Sequence, residues 1–165
     1  MGVAVLIGSV TPTCFAGELG LNAGYIHLPA SSYHYLGYEA RLGFGPLDRQ
    51  FVIDFGMTHP NSAAGYSQHV TFGSLEGQWT LGNDSVKPYI GLGVGFFNDS
   101  VSSSSASSSG FVPAFLLRGG LKMGGSHAGV TLGFSSYLGI YSVSQLFHWT
   151  MWPMNNVMAG VYVAL

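Results

Sequence analysis

Charged residues are scarce in this sequence. Only 7% of its 165 residues are Asp, Glu, Lys or Arg, against about 25% in ordinary soluble domains. The net charge of −2 supplies no basic field for nucleic acid, and no run of like charges forms a tail. The single cysteine, Cys14, lies near the start, so a chain processed beyond it can form no disulfide. No apolar stretch approaches the roughly 18 residues of a spanning helix, which excludes a helical membrane protein. Other residue types are plentiful: there are 25 glycines, and 14% of residues are aromatic. A disordered glycine- and serine-rich chain would lack this many Phe, Tyr, Leu and Val residues. Crowded barrel interiors favour glycine, and membrane interfaces favour aromatics.

The few charges fall on one side of period-two segments. In YLGYEARLGF, Glu39 and Arg41 share a parity, and Leu36, Tyr38, Ala40, Leu42 and Phe44 take the other. Asp54 opposes Phe51, Ile53, Phe55 and Met57; Glu76 and Gln78 oppose Leu75, Trp79 and Leu81. Arg118 and Lys122 oppose Phe115, Leu117, Leu121 and Met123. Successive side chains alternate faces along a strand, so each segment has a polar and an apolar surface. A soluble sheet would turn the polar face to water and carry more charge. The pattern instead predicts an inverted protein, with polar residues inside a closed sheet and the apolar face in lipid. The hydrophobic fraction of 47% is ordinary, so bulk hydropathy alone does not reveal this.

The length suits one domain. Residues 1–16, MGVAVLIGSVTPTCFA, read as the end of a secretory signal peptide cleaved after Ala16, leaving a barrel over residues 17–165. Eight strands are expected: Glu18–Leu28, Tyr35–Gly45, Gln50–Thr58, His69–Leu81, Pro88–Phe97, Phe111–Met123, Ala128–Tyr137 and Asn155–Leu165. Most are close to the roughly 9–11 residues of a tilted membrane strand. Closure of an even number of antiparallel strands removes both sheet edges, which lipid would not tolerate. Compact turns at PLDR, GNDSVK and GGSH alternate with mostly longer connections, as periplasmic turns alternate with external loops. The connection Asn98–Gly110 contains SVSSSSASSSG, a tract with little to bury, expected to be a mobile loop. Trp149 and Trp152 are candidates for an external interface belt and Trp79 for the periplasmic rim, because indole prefers headgroup depth.

The segment KPYIGLGVGFF, the alternating strands and the last strand NNVMAGVYVAL resemble the small eight-stranded outer-membrane barrels of the OmpA/OmpX type. The resemblance implies an all-β, antiparallel, up-and-down transmembrane barrel in the bacterial outer membrane, in contact with the bilayer and lipopolysaccharide. It also implies insertion by the barrel-assembly machinery, which reads the final strand. Val157, Ala159, Val161, Val163 and Leu165 would form that strand's outward face, with Leu165 where the family usually ends in an aromatic residue.

Glu39, Arg41, Asp54, Glu76, Arg118 and Lys122 form the expected interior polar network, three acids against three bases. An ion path is one reading. A plug of paired charges is favoured, because eight strands enclose a space that side chains just fill and buried charges need partners. The chain is also similar in size and layout to the lipid A deacylase barrels, which carry a His and a Ser two positions apart on a late strand and a Glu further on. In LGFSSYLG, Ser135 and Ser136 have no His two positions before them, and no acid follows Asp99. The triad is therefore not carried over, and His148 near Ser144 is the weak remainder. His27, His34, His59, His69 and His148 are placed towards the outside and His127 at a periplasmic turn, none with H-x-x-x-H spacing. Gly91, Gly93 and Gly95 open no helix and read as small interior residues rather than a phosphate loop.

No catalytic, cofactor-binding or metal site is expected. The sequence points to a non-enzymatic outer-membrane barrel with a structural or surface-interaction role, with a component of an envelope assembly or a host-surface protein as the expected partner. A narrow channel for small hydrophobic molecules and a divergent lipid A-modifying enzyme are the alternatives.

Overall fold

The computed structural model describes residues 17–28, 34–63, 66–82, 85–142 and 149–165, with backbone alone at 61–63, 66, 140–142 and 149–152. Nine strands run β1 Gly17–His27, β2 His34–Phe44, β3 Arg49–Thr58, β4 Asn61–Ala63, β5 Tyr66–Thr80, β6 Val86–Ser103, β7 Ser107–Gly124, β8 Ala128–Ser142 and β9 Trp149–Ala164. β4 continues β3 beyond His59 and Pro60, so the wall has eight staves. All pairings are antiparallel, and the ring runs β3-β2-β1-β9-β8-β7-β6-β5 and back to β3. The last strand closes on the first in a register from Glu18↔Ala164 to His27↔Asn155. No sheet edge remains along the membrane-spanning wall, as hydrocarbon demands.

Alternation decides which face is which. In β2 and β3 every second residue from Tyr35 to Gly43 and from Gln50 to Thr58 is buried, and the intervening ones are exposed. The exposed residues form an apolar wall that includes Leu21, Leu42, Ile53, Phe55, Leu92, Phe115, Leu117 and Val161. An exterior of this composition is stable in lipid and would aggregate in water. The crossing is made by strands; among the described residues no helix is long and apolar enough to span a membrane.

Three connections at one end are tight. Gly45 turns with φ +102°, a left-handed value that a side chain disfavours, and Arg49 N–H donates to the Pro46 carbonyl at 2.9 Å. Gly17 and Leu165 meet at the same end, where Leu165 N–H donates to Gly17 O at 2.8 Å. Short turns mark the periplasmic end and long hairpins the external end.

The structure departs from the sequence-based expectation at the external end. The tract expected to be a mobile loop, Asn98–Gly110, is a paired hairpin. β6 and β7 stay in register up to Ser102↔Ser107, and a turn closes through Ser103 N–H to Ala106 O at 2.8 Å. The ladder needs only backbone donors and acceptors, so a segment with nothing to bury can still extend a register set below it. Residues 1–16, the expected signal peptide, lie outside the described residues, as do His148 and Ser144.

Candidate functional site

The lumen has two compartments. Its outer half is mainly apolar: Ile26, Tyr35, Val70, Phe72, Phe97, Val112, Leu116, Tyr137, Met154 and Met158 form one buried cluster, with Gln68 joining the Tyr35 hydroxyl to Asp99 beside it. A uniformly polar interior was expected. The outer ends of the strands instead carry apolar residues at both parities, as in Tyr25-Ile26, Phe96-Phe97 and Phe115-Leu116-Leu117.

The inner half holds the charges, centred on Arg118 of β7. Its guanidinium grips Glu39 of β2 with Nη1 at 3.0 Å and Nη2 at 2.7 Å, and Nη2 also donates to Asp54 Oδ2 at 2.8 Å. Its Nε lies 3.1 Å from Glu76 Oε2. Arg41 of β2 donates to Glu76 Oε1 at 2.5 Å and to Gln78 Oε1 at 2.7 Å. Nearer the periplasm, Lys122 Nζ donates to Glu18 at 2.6 Å and Gln50 at 3.2 Å, and lies 5.6 Å from the Tyr162 ring centroid. Neutral groups complete the shell. Asn22 donates to Glu39, Thr131 to Asn22, Ser74 to Asp54, and Tyr137 Oη to Asp54 Oδ1 at 3.0 Å. Charged groups in a low-dielectric interior are tolerated only with this density of partners.

All six charges singled out from the sequence face the lumen and join this network. Sequence reading missed a seventh, Glu18, which is 5% exposed. Among the described residues, the inner half of the lumen therefore holds four carboxylates against three cations. Alternation with Leu19 and Leu21 was the signal for Glu18; its place at the start of β1 obscured it. The room for Glu76 comes from β6, where a Cβ on Gly91 would lie 2.7 Å from the Glu76 carboxylate. A void of about 10 Å³ beside Asn22, Glu39, Arg118 and Ser135 has space for about one water.

Trp79 is exposed on the outer wall near the periplasmic end, over Gly77. Trp149 and Trp152 begin β9, but their side chains lie outside the described part. Ser135 faces the lumen; Ser136 faces outward, with Leu117 and Asn155 as its cross-strand neighbours. Among the described residues, no group of three or more His, Cys, Asp or Glu side chains is arranged to hold a metal ion.

A closed eight-stave wall with an apolar exterior and a paired polar interior defines a small outer-membrane β-barrel, located in the bacterial outer membrane. No protein-family model matches the chain, and no curated protein sequence matches it. Solved structures do resemble it. Neisserial surface protein A superposes with a TM-score of 0.69 at 14% identity, covering 90% of this chain and 96% of that one. Ail, the attachment invasion locus protein of Yersinia pestis, gives 0.61 at 12% identity over 91% and 97%. The outer membrane enzyme PagL is more distant, at 0.50 and 14% identity over 90% and 99%. At these identities the likeness concerns the fold.

Proposed function

We propose that this protein is a non-enzymatic outer-membrane barrel whose role is structural and interactive, exercised through its external hairpins. The observation that carries this reading is Arg118 bridging opposite walls of the lumen. Its bonds to Glu39 and Asp54 and its ion pair with Glu76 fill the cross-section. Above them Phe72 and Tyr137 pack edge to face at 5.6 Å between ring centroids, in an outer lumen filled by side chains. A filled lumen favours a scaffold over a channel. Ser135 and Ser136 lack a neighbouring base, and the network's carboxylates are each engaged by a cation, which favours a binding or structural role over acyl-ester hydrolysis.

The surface left for recognition is the external end, where the β6–β7 hairpin rises as a serine-rich ladder. Its partner would be an envelope or host-surface protein that accepts a neutral hydroxyl-rich edge. Insertion would use the barrel-assembly machinery, with the exposed Val157, Val161, Val163 and Leu165 as the face presented by β9. The test is a variant in which residues 101–108 are replaced by a two-residue turn. It should fold and reach the outer membrane, yet lose cross-linking to envelope partners or adhesion to host cells. Unchanged cross-linking and adhesion would argue against this role.

A further inference from the structure

We propose that His27 and His34 form a two-imidazole site for a divalent copper ion on the external rim of the barrel. The site stands on the β1–β2 register and is independent of the β6–β7 hairpin and its partners.

Linear spacing hides the pair. H-x-x-x-H spacing serves a helix, where residues i and i+4 share a face. A sheet brings ligands together by register instead. His27 ends β1, His34 begins β2, and the two are direct partners across the ladder. Both occupy outward positions, with the exposed Tyr25↔Leu36 pair just below them on the same face. The pair therefore reaches solvent at the outer end of the wall.

The two rings lie with centroids 4.8 Å apart and planes 28° from parallel. A metal held by two imidazoles through bonds of about 2 Å at right angles keeps their nitrogens about 3 Å apart. The ring torsion of histidine is broad, so a modest rotation of each ring brings two nitrogens to that separation. His27 Nδ1 is shielded from solvent and has no hydrogen-bond partner among the described residues. An unpaired buried nitrogen carries a cost that a metal bond would remove. His59 and His127 differ, because their Nδ1 atoms lie 3.0 Å from the Pro60 carbonyl oxygen and 2.9 Å from Ser126 Oγ.

The donor set selects the ion. Ca²⁺ and Mg²⁺ take oxygen ligands, carboxylates above all. Zn²⁺ in protein sites takes three or four side-chain ligands, and no third His, Cys, Asp or Glu among the described residues completes such a group. Two neutral nitrogens, with water in the remaining positions of a tetragonal sphere, suit Cu²⁺, which also leads the divalent series in affinity. Asn155, the other register partner of His27, stands beside the pair with an amide oxygen to add. The ion is held without change of oxidation state and ties β1 to β2 at the rim.

The test is a Cu²⁺ titration of the refolded, untagged protein in detergent, read by electron paramagnetic resonance with pulsed detection of imidazole nitrogens. Folding of every variant is checked by heat-modifiable migration. The tightest-bound Cu²⁺ on the unmodified protein should carry two imidazoles. H27Q and H34Q should each weaken binding at least about ten-fold, the least that loss of even an outer-shell partner costs. The double variant H27Q/H34Q should bind little more weakly than either single one. H34Q changes an exposed side chain and decides the matter alone if H27Q fails to fold. H127Q should bind as the unmodified protein does. A one-imidazole signal from the unmodified protein, or single losses that add in the double variant, would overturn the chelate. Zn²⁺ displacing Cu²⁺ at equal concentration would overturn the assignment to copper.

Discussion

Arg118 and Glu39 stand on strands at opposite sides of the barrel and meet through two parallel N–H···O bonds of 3.0 and 2.7 Å. This pairing spans the lumen, and both side chains are almost fully buried. Removing the cation would strand Glu39 and Asp54 and leave Glu76 with Arg41 alone. Arg118→Leu should therefore cost about 3–5 kcal/mol of stability. Urea unfolding of the protein in lipid vesicles would measure it. A loss below about 1 kcal/mol would mean that the network is not what holds the section together.

The same pairing bears on conduction. Planar-bilayer recordings of the unmodified protein should show little current, because ionic and aromatic layers both occupy the lumen. Large, stable single-channel steps would show that the filled lumen opens in the membrane and would promote the channel alternative.

The wall itself can be probed by charge. Ile53→Arg or Leu117→Arg places a cation on the lipid face, and each should cost about 2–4 kcal/mol near the bilayer midplane. Ile53→Leu at the same site should be nearly silent. Equal tolerance of Arg and Leu would contradict the face assignment that alternation gives.

Catalysis is tested by mass. Incubation with lipopolysaccharide should leave every acyl chain in place, since Ser136 has Leu117 and Asn155 as its strand neighbours and no base among them. Loss of an acyl chain, abolished by Ser136→Ala or by changing His148, would reverse the non-enzymatic reading.

The sequence disclosed the wall more readily than the contents. Leu42, Ile53 and Leu117 alternate with charges, and period two alone assigns them to lipid. The partners of Arg118 were not legible, because Glu39, Asp54 and Glu76 reach it across the lumen from three other strands. Pairings of that kind depend on the stagger of a closed sheet. The apolar outer lumen was hidden for a related reason. At Phe96-Phe97 and Phe115-Leu116-Leu117 both faces are greasy, and periodicity carries no sign there. The serine hairpin was read as mobile from composition, whereas its order comes from strands that continue upward from the membrane.

The network also divides the chain electrically. The first half, β1 to β5, contributes all four carboxylates of the network and one cation, Arg41. The second half contributes Arg118 and Lys122 to the network and no carboxylate; its one inward acid, Asp99, lies further out and is held by Gln68. Neither half can neutralise its own interior, so each is the other's counter-ion. The two should recombine when supplied as separate polypeptides cut at the 81–85 turn. A first half alone should stay unassembled, because its surplus carboxylates would have to enter lipid without a cation to meet them.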